Sequence, residues 1–127
     1  MLNYWSMALL SNRDHEDRPW GSFDRFTLNE SSTVKILHVL PNQELSLQTH
    51  EHRSEFWRIL SGSGKVTIGE EVREAKAGDE FEFPIGVAHR IASGADGIWF
   101  LEIALGTFDE HDEVRLEDDY NRGSPAP

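Results

Sequence analysis

Cysteine is absent from all 127 residues. That excludes disulfides and any thiolate-held metal, so an ion could be held only by His, Asp, Glu or neutral oxygens. Long apolar runs are missing too. The run from Met7 to Leu10 lacks a basic flank and is too short for a secretory signal. Nothing approaches the roughly 20 apolar residues of a membrane-spanning helix, and the expectation is a soluble, cytoplasmic protein. Basic residues are scarce: 12 Lys and Arg stand against 23 Asp and Glu, for a formal net charge of -11. Such a surface repels nucleic acid and anionic membranes, so neither is expected as a partner. A phosphorylated ligand would need local Arg or Lys to overcome that field.

The length suits one domain with a real core. Residues 1–17 read as an N-terminal extension, and the polar stretch 12–18 reads as loop. Residues 18–122 read as the domain, and 123–127 (Gly-Ser-Pro-Ala-Pro) as a disordered tail. Within the domain, roughly ten short strand-like stretches alternate with Gly, Pro and Asn turns, from Phe23–Leu28 through to the very apolar Ile98–Leu105. This pattern predicts an all-β sandwich or barrel. The segment Glu113–Tyr120, with Asp112 as its N-cap, is a candidate short C-terminal helix.

Within this framework one constellation carries chemistry. His50 and His52 are two apart, which on a strand turns both imidazoles to one face. If Arg53-Ser54 is a two-residue turn, His52 and Glu55 become cross-strand neighbours, and His50, His52 and Glu55 converge. Two imidazoles and a carboxylate suit zinc, manganese, iron, cobalt or nickel. His89, after the turn signal Pro84-Ile85-Gly86, is the candidate fourth ligand.

From His50 to Gly62 the chain reads His-x-His, two residues, Glu, six residues, Gly, which resembles the first cupin motif, usually one or two residues longer before the Glu. From Gly78 to His89 it reads Gly, five residues, Pro-x-Gly, two residues, His, which matches the second. Asn42 and Ser93 stand where Gly and Asn are usual. Further segments resemble the type II phosphomannose isomerases: Arg18-Pro19-Trp20-Gly21-Ser22-Phe23, Leu45-Ser46-Leu47-Gln48 before the histidines, His89-Arg90, and Val114 to Arg122. Phe56 replaces a usual His, and Arg58 a usual aliphatic residue. In that family the domain often follows a mannose-1-phosphate guanylyltransferase, a half this sequence does not contain.

The resemblance implies a cupin double-stranded β-helix, or jelly-roll, barrel holding one divalent metal through His50, His52, Glu55 and His89, with zinc as the first choice. It implies interconversion of mannose 6-phosphate and fructose 6-phosphate, with a sugar phosphate as ligand and a homodimer as the assembly. Proton transfer then needs a base, either Glu102 or a metal-held hydroxide. Phosphate needs an anchor, for which Arg90 is the strongest candidate, with Arg18, Arg53 and Lys65 beside it. Gln48 shares a face with His50 and could touch the metal or a sugar hydroxyl, and Trp57 could wall the pocket. The alternative is a metal-binding cupin of other function: an oxygenase, or a non-catalytic sugar-binding or regulatory protein.

Overall fold

The computed structural model describes residues 9–120. Every regular element among them is a strand, and no helix there is long and apolar enough to cross a membrane. The expected tail, 123–127, lies outside the described residues.

Strands β1 (Asp14–Arg18) and β2 (Gly21–Arg25) form an antiparallel hairpin. Residues 14–18 are therefore strand rather than loop, and a domain boundary at Arg18 would cut through the hairpin. The polar composition that suggested a loop serves pairing instead: His15 bonds Asp24 at 2.9 Å across it.

The other strands are β3 (Ser32–Val39), β4 (Leu47–Thr49), β5 (Arg53–Ile68), β6 (Glu71–Lys76), β7 (Glu80–Phe83), β8 (His89–Gly106) and β9 (Val114–Glu117). They form one hydrogen-bonded sheet that bends into two layers. The first half of β5 pairs with the second half of β8, flanked by β7 and β3. Past the bend, the second half of β5 pairs with the first half of β8, flanked by β6, β4 and β9. The bend needs glycine. Gly62 has φ 85°, and a Cβ there would lie 2.2 Å from the carbonyl oxygen of Gly97.

Between the layers lie Val39, Trp57, Ile59, Val66, Ile68, Phe81, Phe83, Ile91, Ile98 and Phe100, all buried. A second cluster, Leu10, Phe56 and Ile103 with Phe26 against it, covers the opposite face of β5 and β8. Phe56 thus points away from Glu55, as strand alternation requires.

The expected C-terminal helix is replaced by β9, which pairs with β4 from Leu47↔Glu117 to Thr49↔Val114. The short β4 has an edge to satisfy, and a strand can do that where a helix cannot. Asp112 caps no helix. Its carboxylate accepts the backbone N–H groups of Glu51 at 2.9 Å and His52 at 2.8 Å.

Candidate metal centre

Register sets the site. Across the inner face of the first layer runs a row of directly paired residues: Phe81 on β7, Trp57 on β5, Glu102 on β8 and Lys35 on β3. Glu55 lies one inward position from Trp57, and His89 enters from the start of β8, opposite Gln48.

His50, Glu55 and His89 are all buried, and one ligand atom from each lies within 4.8 Å of the others. Both imidazoles are fixed from behind. His50 Nδ1 donates to the Asp112 carbonyl at 2.6 Å, and His89 Nδ1 to the Val87 carbonyl at 3.0 Å. That leaves each Nε2 lone pair toward Glu55, at 3.2 Å for His50 and 3.4 Å for His89. Burial lowers the pKa of His50, although the Glu55 carboxylate pulls it the other way. A lone pair facing a carboxylate is repulsive unless a cation lies between them; Arg53 Nη2 meets that of His50 at 3.3 Å, but among the described residues no cation meets that of His89, so the cluster fits a metal ion. Beneath them the rings of Trp57 and Phe83 pack on His89, with centroids at 5.6 and 4.8 Å.

The two carboxyls diverge in behaviour. Burial opposes ionisation of Glu55, but His89 and His50 beside it and the Arg53 hydrogen bond outweigh it and hold Glu55 well below the usual carboxylate range. Glu102 is pushed up to about 8, by burial first and then by the Glu55 charge beside it. The Trp57 indole N–H is shared between them, at 3.2 Å from each carboxylate. The surrounding cavity, of about 170 Å³, is lined by Lys35, Gln48, Arg53, Trp57 and Glu102 among others.

His52, expected as a ligand, stands apart from this group. Arg53-Ser54 is no hairpin turn: the chain bends at Glu51 and His52, Arg53 already belongs to β5, and the His52 side chain is exposed. Arg53 comes inward instead, its Nε donating to Glu55 at 2.9 Å. Gln48 faces the cavity and gives its amide N–H to the Ser46 hydroxyl at 3.0 Å, leaving its carbonyl oxygen available. Arg90, being next to His89, faces the opposite way and bonds the Leu45 carbonyl and Glu117. Arg18 is exposed and paired with Glu16, and Lys65 is exposed on β5; neither lines the cavity. Sequence reasoning missed Lys35, which does.

The family described as mannose-6-phosphate isomerase C-terminal matches residues 8–118. The chain belongs to that family. Among relatives of this mannose-6-phosphate isomerase C-terminal domain is the xanthan biosynthesis protein XanB of Xanthomonas campestris pv. campestris. It is 39% identical over 107 residues, covering 83% of this chain and 23% of XanB. Mannose-1-phosphate guanylyltransferase ManC of Salmonella typhimurium is 36% identical over 107 residues, 83% of this chain and 22% of its own. A solved cupin protein from Bacteroides fragilis aligns with TM-score 0.56 and 26% identity, over 84% of this chain and 87% of that one. The fold is the cupin double-stranded β-helix.

The chain spans about a quarter of the length of the curated relatives it matches. Those relatives are larger proteins named for guanylyl transfer and xanthan biosynthesis. They overturn the expectation of a freestanding enzyme that interconverts mannose 6-phosphate and fructose 6-phosphate: what this chain matches in them is the cupin domain alone.

Proposed function

We propose that this chain is a metal-dependent cupin enzyme domain that binds a small, oxygen-rich ligand of the carbohydrate type and moves a proton at it. The observation that supports this most is the meeting of two buried imidazole nitrogens and an ionised carboxylate beside a second, protonated carboxyl. His50, Glu55 and His89 would hold the ion, with the Gln48 oxygen as a neutral fourth donor. Zinc is the first candidate for such a donor set, followed by manganese, cobalt, nickel and iron. When bound, the ion supplies Lewis acidity toward ligand oxygens.

The side chains do the rest. The Asp112 and Val87 carbonyls keep both imidazoles in one tautomer and orientation. Glu102, with its pKa near 8, holds a proton at neutral pH in a place where it can be given to a ligand atom and taken back. Trp57 orients that carboxyl and closes the floor against water. The carbohydrate class draws on the names of the relatives.

The test is metal uptake. The purified chain is expected to take up about one zinc or cobalt ion, read by calorimetry and elemental analysis. His50→Ala combined with His89→Ala should abolish uptake while the β-rich circular dichroism spectrum remains. Full uptake by the folded double variant would overturn the ligand set.

A further inference from the structure

The large sheet has four edge strands: β3, β6, β7 and β9 each pair with a single neighbour among the described residues. Three of them are guarded by charge. β6 carries Glu71 and Glu74, and β9 carries Glu117. On β7, Glu80 pairs with Arg13 and Glu82 accepts the backbone N–H of Leu9. The fourth, β3, reads Ser-Thr-Val-Lys-Ile-Leu-His-Val from Ser32 to Val39. It has no Pro, no acidic residue, and an unbroken register with β8 from Ser32↔Leu105 to Val39↔Ile98. Its one charge, Lys35, turns inward to the cavity.

The outward face beside this edge is apolar and bare. Val34, Ile36 and, just past the strand, Leu40 are 57%, 61% and 60% exposed, and Trp99 on β8 is 45% exposed. His38 pairs with Trp99 and lies flat against it, with ring centroids 4.0 Å apart and 6° between the planes. Elsewhere the same face of the layer is covered: Phe56 and Ile103 pack with Leu10 and Phe26. The bare part offers about 400–500 Å² of apolar side chain, a size at which exposed patches mark contact sites. A standard interface takes roughly 800 Å² from each partner, a little over half of it apolar. The patch, its backbone edge and its polar rim together meet that requirement.

We infer that β3 is the interface for a second copy of this chain, joined edge to edge across a two-fold axis so that the sheets of both copies become one. Three observations select that occupant. An antiparallel edge is complementary to itself, which suits a contact made by the same surface on both copies. A chain of net charge -11 repels its own copy over most of its surface, and β3 is the only edge strand without Asp or Glu among the described residues. Glu110, beside it, is neutralised by Lys35 at 2.8 Å. The faces also match when the strand meets itself. One register uses the whole strand, keeps both outward faces on one side and keeps the two Lys35 side chains from facing each other: the one centred on Ile36. It sets Val34 of each copy opposite the His38–Trp99 stack of the other. The inference is independent of the metal reading.

The test is the mass of the purified full chain, by sedimentation equilibrium and light scattering. Wild type is expected at twice its 14.5 kDa. Ile36→Lys brings two like charges together at the axis and should raise the dimer dissociation constant at least about a hundredfold, with the circular dichroism spectrum unchanged. Val72→Lys, at a residue as exposed as Ile36 but on the β6 edge, is the control and should leave the dimer intact. The register has its own readout. The chain has no cysteine, so Ile36→Cys can form a disulfide only with position 36 of another copy. Directly opposed residues lie about 4.5–5.5 Å apart across an antiparallel pair, within reach of a disulfide, so mild oxidation should link most of this variant and little of Val72→Cys. A dimer that Ile36→Lys leaves intact, or that Val72→Lys dissociates as readily, would overturn the inference. A wild-type mass of 14.5 kDa would also overturn it, and doubling only after removal of residues 2–8 would give the edge to that segment instead.

Discussion

The two faces of the first half of β5 are built from opposite materials. Inward, Glu55 and Trp57 meet His50, His89, Arg53 and Glu102, so a buried ion pair sits among buried polar groups. Outward, Phe56 meets Leu10, Phe26 and Ile103, with Arg13 laid over the Phe26 and Phe56 rings at its edge. The residues are adjacent in sequence and equally buried, yet one set strains against folding while the other drives it. Because alternation separates them, the outer face can stabilise the strand that positions the inner chemistry without touching it.

The largest expected effect breaks that division from outside. Phe56→Ala should lower unfolding stability by about 3–5 kcal/mol in urea denaturation. The fraction that remains folded should still bind one metal ion, because the inner face is untouched. Loss of metal stoichiometry in the folded fraction would show that the two faces are not separable.

A smaller effect breaks it from inside. The folded-state pKa of Glu102 is raised from 4.5 to about 8, so the folded protein keeps a proton that the unfolded chain releases. Its contribution to stability is fully present below about pH 4.5 and is lost as pH rises to about 8. Glu102→Gln should remove that decline, measured as urea midpoints of the chelated protein across this range. A wild-type midpoint that stays level from pH 5 to pH 8, while carboxylates elsewhere are already ionised, would count against a buried protonated Glu102.

The smallest effect concerns a residue beside the site in sequence but outside it in space. Arg90→Ala removes bonds to Glu117 and Leu45 at a partly exposed edge, so the stability loss should stay below about 1 kcal/mol. Zinc uptake should match wild type. A marked fall in zinc uptake would give Arg90 a part in supporting the cluster.

These contrasts also explain what could be read in advance. Most strand positions and the meeting of His50, Glu55 and His89 follow from turn residues, alternation and the two cupin-like motifs, all of which are local. His52 does not, because the bend that turns it outward is made by the Asp112 carboxylate, 60 residues further along the chain. Asp112 looked like the cap of a helix for the same reason: what it caps is remote. Lys35 was hidden by parity. On β3 the outward positions are Val34, Ile36 and His38 and the inward ones Thr33, Lys35, Leu37 and Val39, so the two faces are similarly apolar and hydrophobicity does not mark Lys35 as inward. Arg90 was misplaced because adjacency to His89 was taken as proximity, whereas neighbours on a strand face opposite ways.

The contact between His50 and Asp112 also sets a timetable. The residues it joins are 62 apart in sequence. A ribosome adding about 5–20 residues per second needs roughly 3–12 s to pass from one to the other. Throughout that interval His50 has emerged without the carbonyl that orients it, and Glu51 and His52 without the carboxylate that bends them. The nascent chain therefore displays its histidines well before the cluster of His50, Glu55 and His89 can take its shape, and that shape comes only once Asp112 has been made.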